Sequence, residues 1–372
     1  MGVAIFSHAR SIDYKKIGGL ESLYRRIADE LLRDGHDVEF VLYGARDQSS
    51  LKAESGVTLR YFKTYTEAVA YLRHSRLDIV SNYIKKRHRL HFLIFRAFWR
   101  REVTFFRIIT GIEDGSKKKN AFGLTWIRRL SRMFETPIVV SNSVYRQLLD
   151  QGVQATLCTP PVPKQFYISE ERATADRNLE VTFVGRFDEN KGIPKLLEVF
   201  ENLSKEPLIN LNLSGYFGHG VSAHKLVNKF LTCHPNVWFS ELSWDGWSKQ
   251  VDLDLIDLLR KTDVLILPYK NMKGTMDPPY LVLEGMATRC VVITTDLGSI
   301  NDFLCDSSQV LTDLDFVQSA TQTIRTLLND RDLLWRIQIR NQDLMKQRTQ
   351  RNQTRIASEW SMALCQQEKL SS

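Results

Sequence analysis

The stretch Asp263-Val-Leu-Ile-Leu-Pro268, continued by Met276-Asp-Pro-Pro-Tyr-Leu-Val-Leu-Glu284-Gly-Met-Ala287 and Val291-Val-Ile-Thr-Thr-Asp296, decides the fold. The apolar run before Pro268 predicts a buried parallel strand, and two successive prolines predict an extended loop before a helix can begin. Glu284 then lies in the first turns of that helix, beside a loop whose backbone amides can face an anion. This order suits a nucleotide diphosphate, with the carboxylate for a ribose hydroxyl and the amides for phosphate.

The same alternation of strand and helix begins the chain. Residues 3–6 predict a strand, a loop ends at Gly18-Gly19, a helix covers about Leu20 to Asp34 at helical apolar period, and residues 37–43 predict the next strand. A second such start at 179–185 follows a stretch, 159–178, that is rich in proline and charge and predicts an interdomain connection. The 372 residues are about twice the usual domain length, so we expect two α/β domains with Rossmann-like halves.

The composition is that of an ordinary globular protein, with 43% apolar and 25% charged residues. The five cysteines are odd in number, widely spread and without a CxxC pair, which argues against a disulfide framework and a zinc site. We find neither a signal-peptide core nor an apolar run near the roughly 20 residues that a membrane span needs. The expected location is therefore the reducing cytoplasm.

A second motif, Val184-Gly-Arg-Phe-Asp-Glu-Asn-Lys-Gly192, ends one predicted strand and opens a helix. Gly185 permits close backbone approach, while Arg186 and Lys191 place two cations in the crevice at the carboxyl edge of an open α/β sheet. The alternative is a solvated turn with two surface cations. Positioned cations and amides can stabilise a departing diphosphate without a metal.

Taken together, Gly185-Arg186, Lys191-Gly192 and Glu284 resemble the donor-site signature of the family 4 retaining glycosyltransferases. The order of elements is similar over nearly the whole chain. The resemblance implies the GT-B fold, in which two Rossmann-like α/β domains face a deep interdomain cleft. It implies an acceptor-side domain at 1–165, joined by a C-terminal helix at about 353–372, and a donor-binding domain at 178–352.

The resemblance also implies roles for individual residues. Arg186 and Lys191 would grip the diphosphate and act in catalysis together with Asp277, and the loop amides at Gly18 and Gly19 would approach the phosphate from the facing domain. The donor-binding set is completed by Gly185, Tyr280, Leu281 and Glu284. No cofactor and no metal are expected. Two Asp-x-Asp patterns, at 252–254 and 313–315, precede predicted helices and are interpreted as helix caps and dipole partners.

The chain departs from the family pattern at two places. Met276 occupies the position of the family's first glutamate, so either Asp277 takes over contact with the sugar hydroxyls, which we favour, or the amides of Tyr280 and Leu281 hold the sugar and Asp277 caps the helix. After the strand at 103–109 a family histidine is missing. Glu113 and Asp114 there could orient the acceptor or the sugar, or could form a solvated ion-pair cluster with the lysines at 117–119.

The positive charge is concentrated in one segment. The chain carries a net charge of +8, yet 14 basic and three acidic residues between 85 and 132 give that segment +11. Within it, aromatic, aliphatic and arginine side chains suit an interfacial helix on anionic lipid, and we predict membrane contact through Arg89, Phe92, Phe95, Arg96, Trp99 and Arg100. The alternative is a core helix with basic ends. No recognised nucleic-acid motif accompanies the charge, so nucleic acid is not an expected partner.

The sequence thus favours a hexosyltransferase-type enzyme. It would move a sugar from a nucleotide diphosphate sugar to a lipid-linked or other glycan acceptor, peripheral on the cytoplasmic membrane face. The second hypothesis is a catalytically silent relative that binds nucleotide or glycan and acts as a peripheral membrane assembly factor. The missing glutamate and histidine support the second hypothesis, and the presence of Arg186, Lys191 and Glu284 opposes it.

Overall fold

The computed structural model describes residues 1–12, 14, 15, 18–75, 77–83, 104–110, 136–169, 177–217, 221–242, 246–272, 275–304, 306 and 308–353. Contacts divide the chain into two compact units, Met1–Pro161 with Thr349–Ser372, and Val162–Arg348. We call them unit 1 and unit 2.

Unit 1 is an α/β unit. Its strands are β1 Gly2–His8, β2 Asp37–Tyr43, β3 Ser49–Lys52, β4 Thr58–Phe62, β5 Ile79–Tyr83, β6 Thr104–Ile109, β7 Thr136–Val139 and β8 Thr156–Leu157. Its described helices are α1 Gly19–Arg33, α2 Tyr65–His74 and α3 Asn142–Leu149. The strands form one sheet in the order β3-β4-β2-β1-β5-β6-β7-β8, parallel throughout except between β3 and β4.

The predicted βαβ start of unit 1 is confirmed. The first strand is longer than predicted, α1 begins one residue earlier, and β2 has the predicted limits. Leu23, Ile27 and Leu31 are the buried apolar stripe of α1. The helix is followed by Gly35, whose φ of +81° a residue with a side chain rarely adopts.

Unit 2 holds a second sheet, which is wholly parallel. Its strands are β9 Leu179–Phe187, β10 Ile209–Phe217, β11 Trp238–Glu241, β12 Val264–Leu267, β13 Val291–Thr295 and β14 Val310–Leu311, in the order β11-β10-β9-β12-β13-β14. Its helices are α4 Ile193–Leu203, α5 Val221–Cys233, α6 Lys249–Lys261, α7 Tyr280–Ala287, α8 Phe316–Asn329 and α9 Arg331–Gln353.

The decisive stretch folds as predicted into β12, α7 and β13. All four residues of β12 are buried, because the strand lies inside the sheet between β9 and β13. The carboxyl ends of these three neighbouring strands meet at one edge of the sheet. In an open parallel sheet this edge is where ligands bind.

The interpretation of the Asp-x-Asp patterns as caps is wrong for the first pattern. Helix α6 begins at Lys249, with Ser248 as its N-cap residue, so this pattern lies inside the helix that it was predicted to precede. Asp252 therefore lies in the first turn, where its charge favours the helix dipole. Asp315 is the N-cap residue of α8, but its side chain makes no capping hydrogen bond.

Candidate functional site

The carboxyl end of β9 and the turn after it carry the first group of predicted site residues. Gly185 has a φ of +147°, and a Cβ added to Gly215 on the neighbouring β10 would lie 1.9 Å from the Gly185 carbonyl oxygen. The two backbones therefore approach more closely than side chains would allow. Downstream, Gly192 has a φ of +71°, and a Cβ there would lie 1.7 Å from the carbonyl oxygen of Pro268. The loops after β9 and β12 are packed backbone to backbone.

Arg186 and Asp188 form an ion pair within this turn, from the arginine Nε to one carboxylate oxygen. The other oxygen of Asp188 accepts a hydrogen bond from the backbone N–H of Lys191 at 3.1 Å and so caps the 3-10 turn Glu189–Lys191. One carboxylate thereby binds the guanidinium of Arg186 and the backbone of Lys191. The Arg186 side chain is 35% exposed, so its guanidinium stays accessible to a ligand.

Lys191 points into the protein instead of outward. Its Nζ donates to Thr275 Oγ1 at 2.6 Å and lies 4.8 Å from the centre of the Tyr269 ring. Burial, together with the positive charge of Arg186, lowers the pKa of Lys191 to about 8, and Asp188 offsets part of this. The ammonium therefore gains from any anion placed beside it.

Glu284 acts electrostatically on the same tyrosine. It lies on α7 and is 3% exposed. Burial and the charge of Glu284 together raise the pKa of the Tyr269 hydroxyl. Tyr269, which follows β12 at the carboxyl edge of the sheet, is thus in contact with Lys191 and under the electrostatic influence of Glu284.

The comparisons with known proteins bear on this edge of unit 2. Residues 178–330 match the family model described as Glycosyl transferases group 1. The matched residues lie within unit 2. The matched range contains Arg186, Lys191 and Glu284.

Solved structures show that the whole chain has the GT-B fold. Sucrose-phosphate synthase from Thermosynechococcus elongatus is similar with a TM-score of 0.71 at 14% identity, covering 100% of this chain and 98% of that one. The trehalose-6-phosphate protein from E. coli bound with UDP-2-fluoro glucose gives 0.64 at 11%, covering 99% of each. An α-glucosyltransferase in complex with UDP and a 13-mer DNA gives 0.62 at 13%, covering 100% and 99%. A comparison with curated protein sequences gives no match.

In unit 2, Tyr280 and Leu281 are the first two residues of α7. A Cβ built on Gly185 would lie 3.8 Å from a methyl carbon of Leu281, so the start of α7 lies beside the glycine of the β9 turn. Unit 2 therefore brings together the predicted residues Gly185, Arg186, Lys191, Leu281 and Glu284 at one sheet edge.

Asp277 has its partner elsewhere in unit 2. Its Oδ1 accepts hydrogen bonds from the backbone N–H of Ser299 at 2.8 Å and from the Ser299 hydroxyl at 2.7 Å. The alternative in which Asp277 caps α7 is wrong, because the N-cap residue is Pro279 and no side chain makes a capping hydrogen bond. Contact between Asp277 and a sugar stays a prediction.

Four partners in unit 2 were missed by the sequence motifs: Asp188, Tyr269, Thr275 and Ser299. Asp188 precedes Lys191 by three residues, the spacing of a side-chain cap, so the sequence held a signal for it. The other three come from loops whose contacts depend on the order of strands, and they carry no local pattern.

In unit 1, Gly18 is the N-cap residue of α1 and Gly19 its first residue, in the predicted place after the first strand. Some predictions lie outside the described residues: those for Glu113 and Asp114, for the whole basic helix with Arg89, Phe92, Phe95, Arg96, Trp99 and Arg100, and for the C-terminal helix beyond residue 353. Among the described residues, no group of three or more His, Cys, Asp or Glu side chains could hold a metal ion. No described helix is both long and apolar enough to cross a bilayer.

Proposed function

We propose that the protein is a retaining, metal-independent hexosyltransferase. It moves a sugar from a nucleoside diphosphate sugar to a lipid-linked or other glycan acceptor at the cytoplasmic membrane face. The observation that carries the proposal is the placing of Arg186 and Lys191 at the carboxyl end of β9, next to the start of α7, inside the range that matches the group 1 model. Unit 2 would bind the donor and unit 1 the acceptor.

The cations suit the leaving group. In the transfer, the bond from the anomeric carbon to the phosphate oxygen breaks and its electron pair stays on the nucleoside diphosphate. Arg186 and Lys191 would stabilise that growing negative charge in a partly dehydrated site, where fixed charges act more strongly than in water. Burial has already removed solvent from the Lys191 ammonium, as its lowered pKa of about 8 indicates.

The remaining steps need no further protein group. The acceptor hydroxyl oxygen bonds to the anomeric carbon, and its proton goes to the departing phosphate oxygen. Retention is the stereochemistry of the family that the donor motif resembles. Glu284 would bind a ribose hydroxyl, since a buried carboxylate at the sheet edge gains from a hydrogen-bond donor.

Two structural neighbours support a nucleotide sugar as the donor. One is described with UDP and the other with UDP-2-fluoro glucose. The DNA in the first structure is a ligand of that neighbour, and we do not propose it for this chain. For this chain the acceptor proposal rests on the basic segment 85–132, whose aromatic and arginine content favours a lipid surface over nucleic acid.

The test is nucleotide release from a panel of nucleotide sugars by the purified protein, with and without anionic vesicles. Arg186→Ala and Lys191→Ala should each lower kcat/KM for the active donor by roughly 100-fold, as expected when a charge-stabilising group is removed. Lys195→Ala is the matched control, because this lysine, only four residues beyond Lys191, pairs with Asp313 at 2.6 Å and has no contact with the motif. Equal losses in all three variants would contradict the assignment.

The catalytically silent relative remains the second candidate. The observation in its favour is Met276, a buried thioether at the position where the family carries a glutamate. A silent relative would bind a nucleotide or glycan and release no product. Donor-dependent thermal stabilisation without any nucleotide release would favour it over the transferase.

A further inference from the structure

The loop between β12 and α7 contains a buried carboxylate whose partner is 22 residues further along the chain. Asp277 is 5% exposed and Ser299 is 2% exposed. One oxygen of Asp277 accepts both the backbone N–H and the hydroxyl of Ser299. Hydrogen bonds to an ionised group are stronger than neutral ones, so this pair fixes the carboxylate firmly.

Gly298 is a second requirement for this contact. It has a φ of +62°, and a Cβ added there would lie 2.6 Å from Asp277 Oδ1 and 2.8 Å from the carboxyl carbon. Any side chain would push the carboxylate away from Ser299. The pair Gly298-Ser299 therefore forms the binding site of the Asp277 side chain: Gly298 leaves room for it, and Ser299 donates the hydrogen bonds.

The pair Gly298-Ser299 follows a part of unit 2 that buried hydrogen bonds hold in place. The hydroxyl of Thr294 donates to the carbonyl oxygen of Leu267 at 2.8 Å, and that of Thr295 to the carbonyl oxygen of Tyr269 at 2.6 Å. These buried bonds join the end of β13 to the end of β12. Ser299 follows only four residues later, so its position is set by the sheet and not by the loop that it holds.

The same loop is also bound by Lys191, a residue of the candidate site. Thr275 accepts the hydrogen bond from Lys191 Nζ at 2.6 Å, two residues before Asp277. The segment 275–277 is therefore fixed between Lys191 and Ser299. Three residues beyond Asp277 the first turn of α7 begins, and any shift of the carboxylate would move that turn.

We propose that Ser299 is a positioning residue that holds Asp277 and thereby fixes loop 275–279 and the first turn of α7 for the donor sugar. The inference rests on the proposed transferase function, in which this loop receives the sugar. Ser299 acts only through Asp277. In this proposal Asp277 locks the loop through Ser299, in place of the direct contact with the sugar hydroxyls that the sequence favours.

The experiment compares Ser299→Ala with Ser308→Ala in the full chain. Ser308 is the matched control, since its N–H at 3.0 Å and its hydroxyl at 2.6 Å also bind a single oxygen, that of Asp306. We expect Ser299→Ala to weaken binding of the nucleotide sugar roughly 10-fold, and that of the nucleoside diphosphate less than about twofold, because only the sugar contacts the loop. Ser308→Ala should leave both affinities unchanged.

Two further variants, Asp277→Asn and the double variant with Ser299→Ala, test whether Asp277 fixes the loop through Ser299 or contacts the sugar hydroxyls directly. If Asp277 acts through Ser299, the two single variants lose a similar factor and the double variant loses no more than the worse of them. A strong loss in Asp277→Asn with wild-type behaviour of Ser299→Ala would overturn the proposal. So would an equal loss of nucleoside diphosphate affinity, which indicates a general structural role.

Both affinities are measured by calorimetry on variants whose thermal unfolding shows them to be folded. Because binding of the nucleotide sugar does not require turnover, the comparison can be made even if the wild-type protein releases no nucleotide. Failure of the transferase proposal is thus seen in wild-type turnover, and failure of the positioning proposal in the ratio between variants.

Discussion

Lys191 is the residue whose protonation should control donor affinity. Its pKa of about 8 means that the ammonium, the form that binds a diphosphate, declines in the ligand-free protein as pH rises through 8. A bound diphosphate would raise this pKa, so binding above pH 8 should take up a proton. We therefore expect donor KM to be flat below pH 7 and to rise by about tenfold per pH unit well above 8.

The control for this pH dependence is Lys191→Arg, since a guanidinium stays charged throughout the range. Calorimetry in buffers of different ionisation enthalpy would count the protons taken up at pH 8.5. Uptake should be present in the wild type and absent in Lys191→Arg. Identical pH profiles for the two proteins would assign the titration to another group.

At the scale of elements, the contact between the β9 turn and the β12 loop should be sensitive to one methyl group. Gly192→Ala adds a Cβ 1.7 Å from the carbonyl oxygen of Pro268 and also strains a φ of +71°. Gly35→Ala is the matched control, because its φ of +81° imposes similar strain with nothing within 4 Å of the new atom. Urea unfolding should show a loss of about 1 kcal/mol for the control and roughly 2–4 kcal/mol for Gly192→Ala. Equal losses would mean that the clash relaxes freely.

The sequence predicts those elements whose signal is local. The apolar run before Pro268 and the periodic stripe of α1 specify their own strand and helix, and Gly185 and Lys191 lie on a recognisable motif. The contacts of Tyr269 and Ser299 could not be predicted, because they depend on β12 lying between β9 and β13. The start of α6 was misplaced because Ser248, and not Asp252, is its N-cap residue.

At the scale of the whole molecule, the fold constrains function only coarsely. A TM-score of 0.71 over the full chain accompanies 14% identity, so the architecture persists while most side chains differ. Architecture therefore places the site at the carboxyl edge of the sheet, and the side chains there select the donor. In this chain we expect the donor to be selected by residues such as Met276, where the sequence departs from the pattern of the family that it resembles.

The charge of the whole molecule leads to a prediction about its surface partner. The segment 85–132 carries +11, more than the net +8 of the chain, so adsorption to anionic vesicles should depend on this segment. Changing Arg89, Arg96 and Arg100 to Glu should abolish co-sedimentation with such vesicles, and about 0.5 M salt should do the same for the wild type by screening.

The control changes three exposed lysines, Lys205, Lys225 and Lys229, to Glu and removes the same charge. Because local charge and not net charge attracts the lipid, that control should still bind, and equal loss in both triple variants would refute a localised membrane surface.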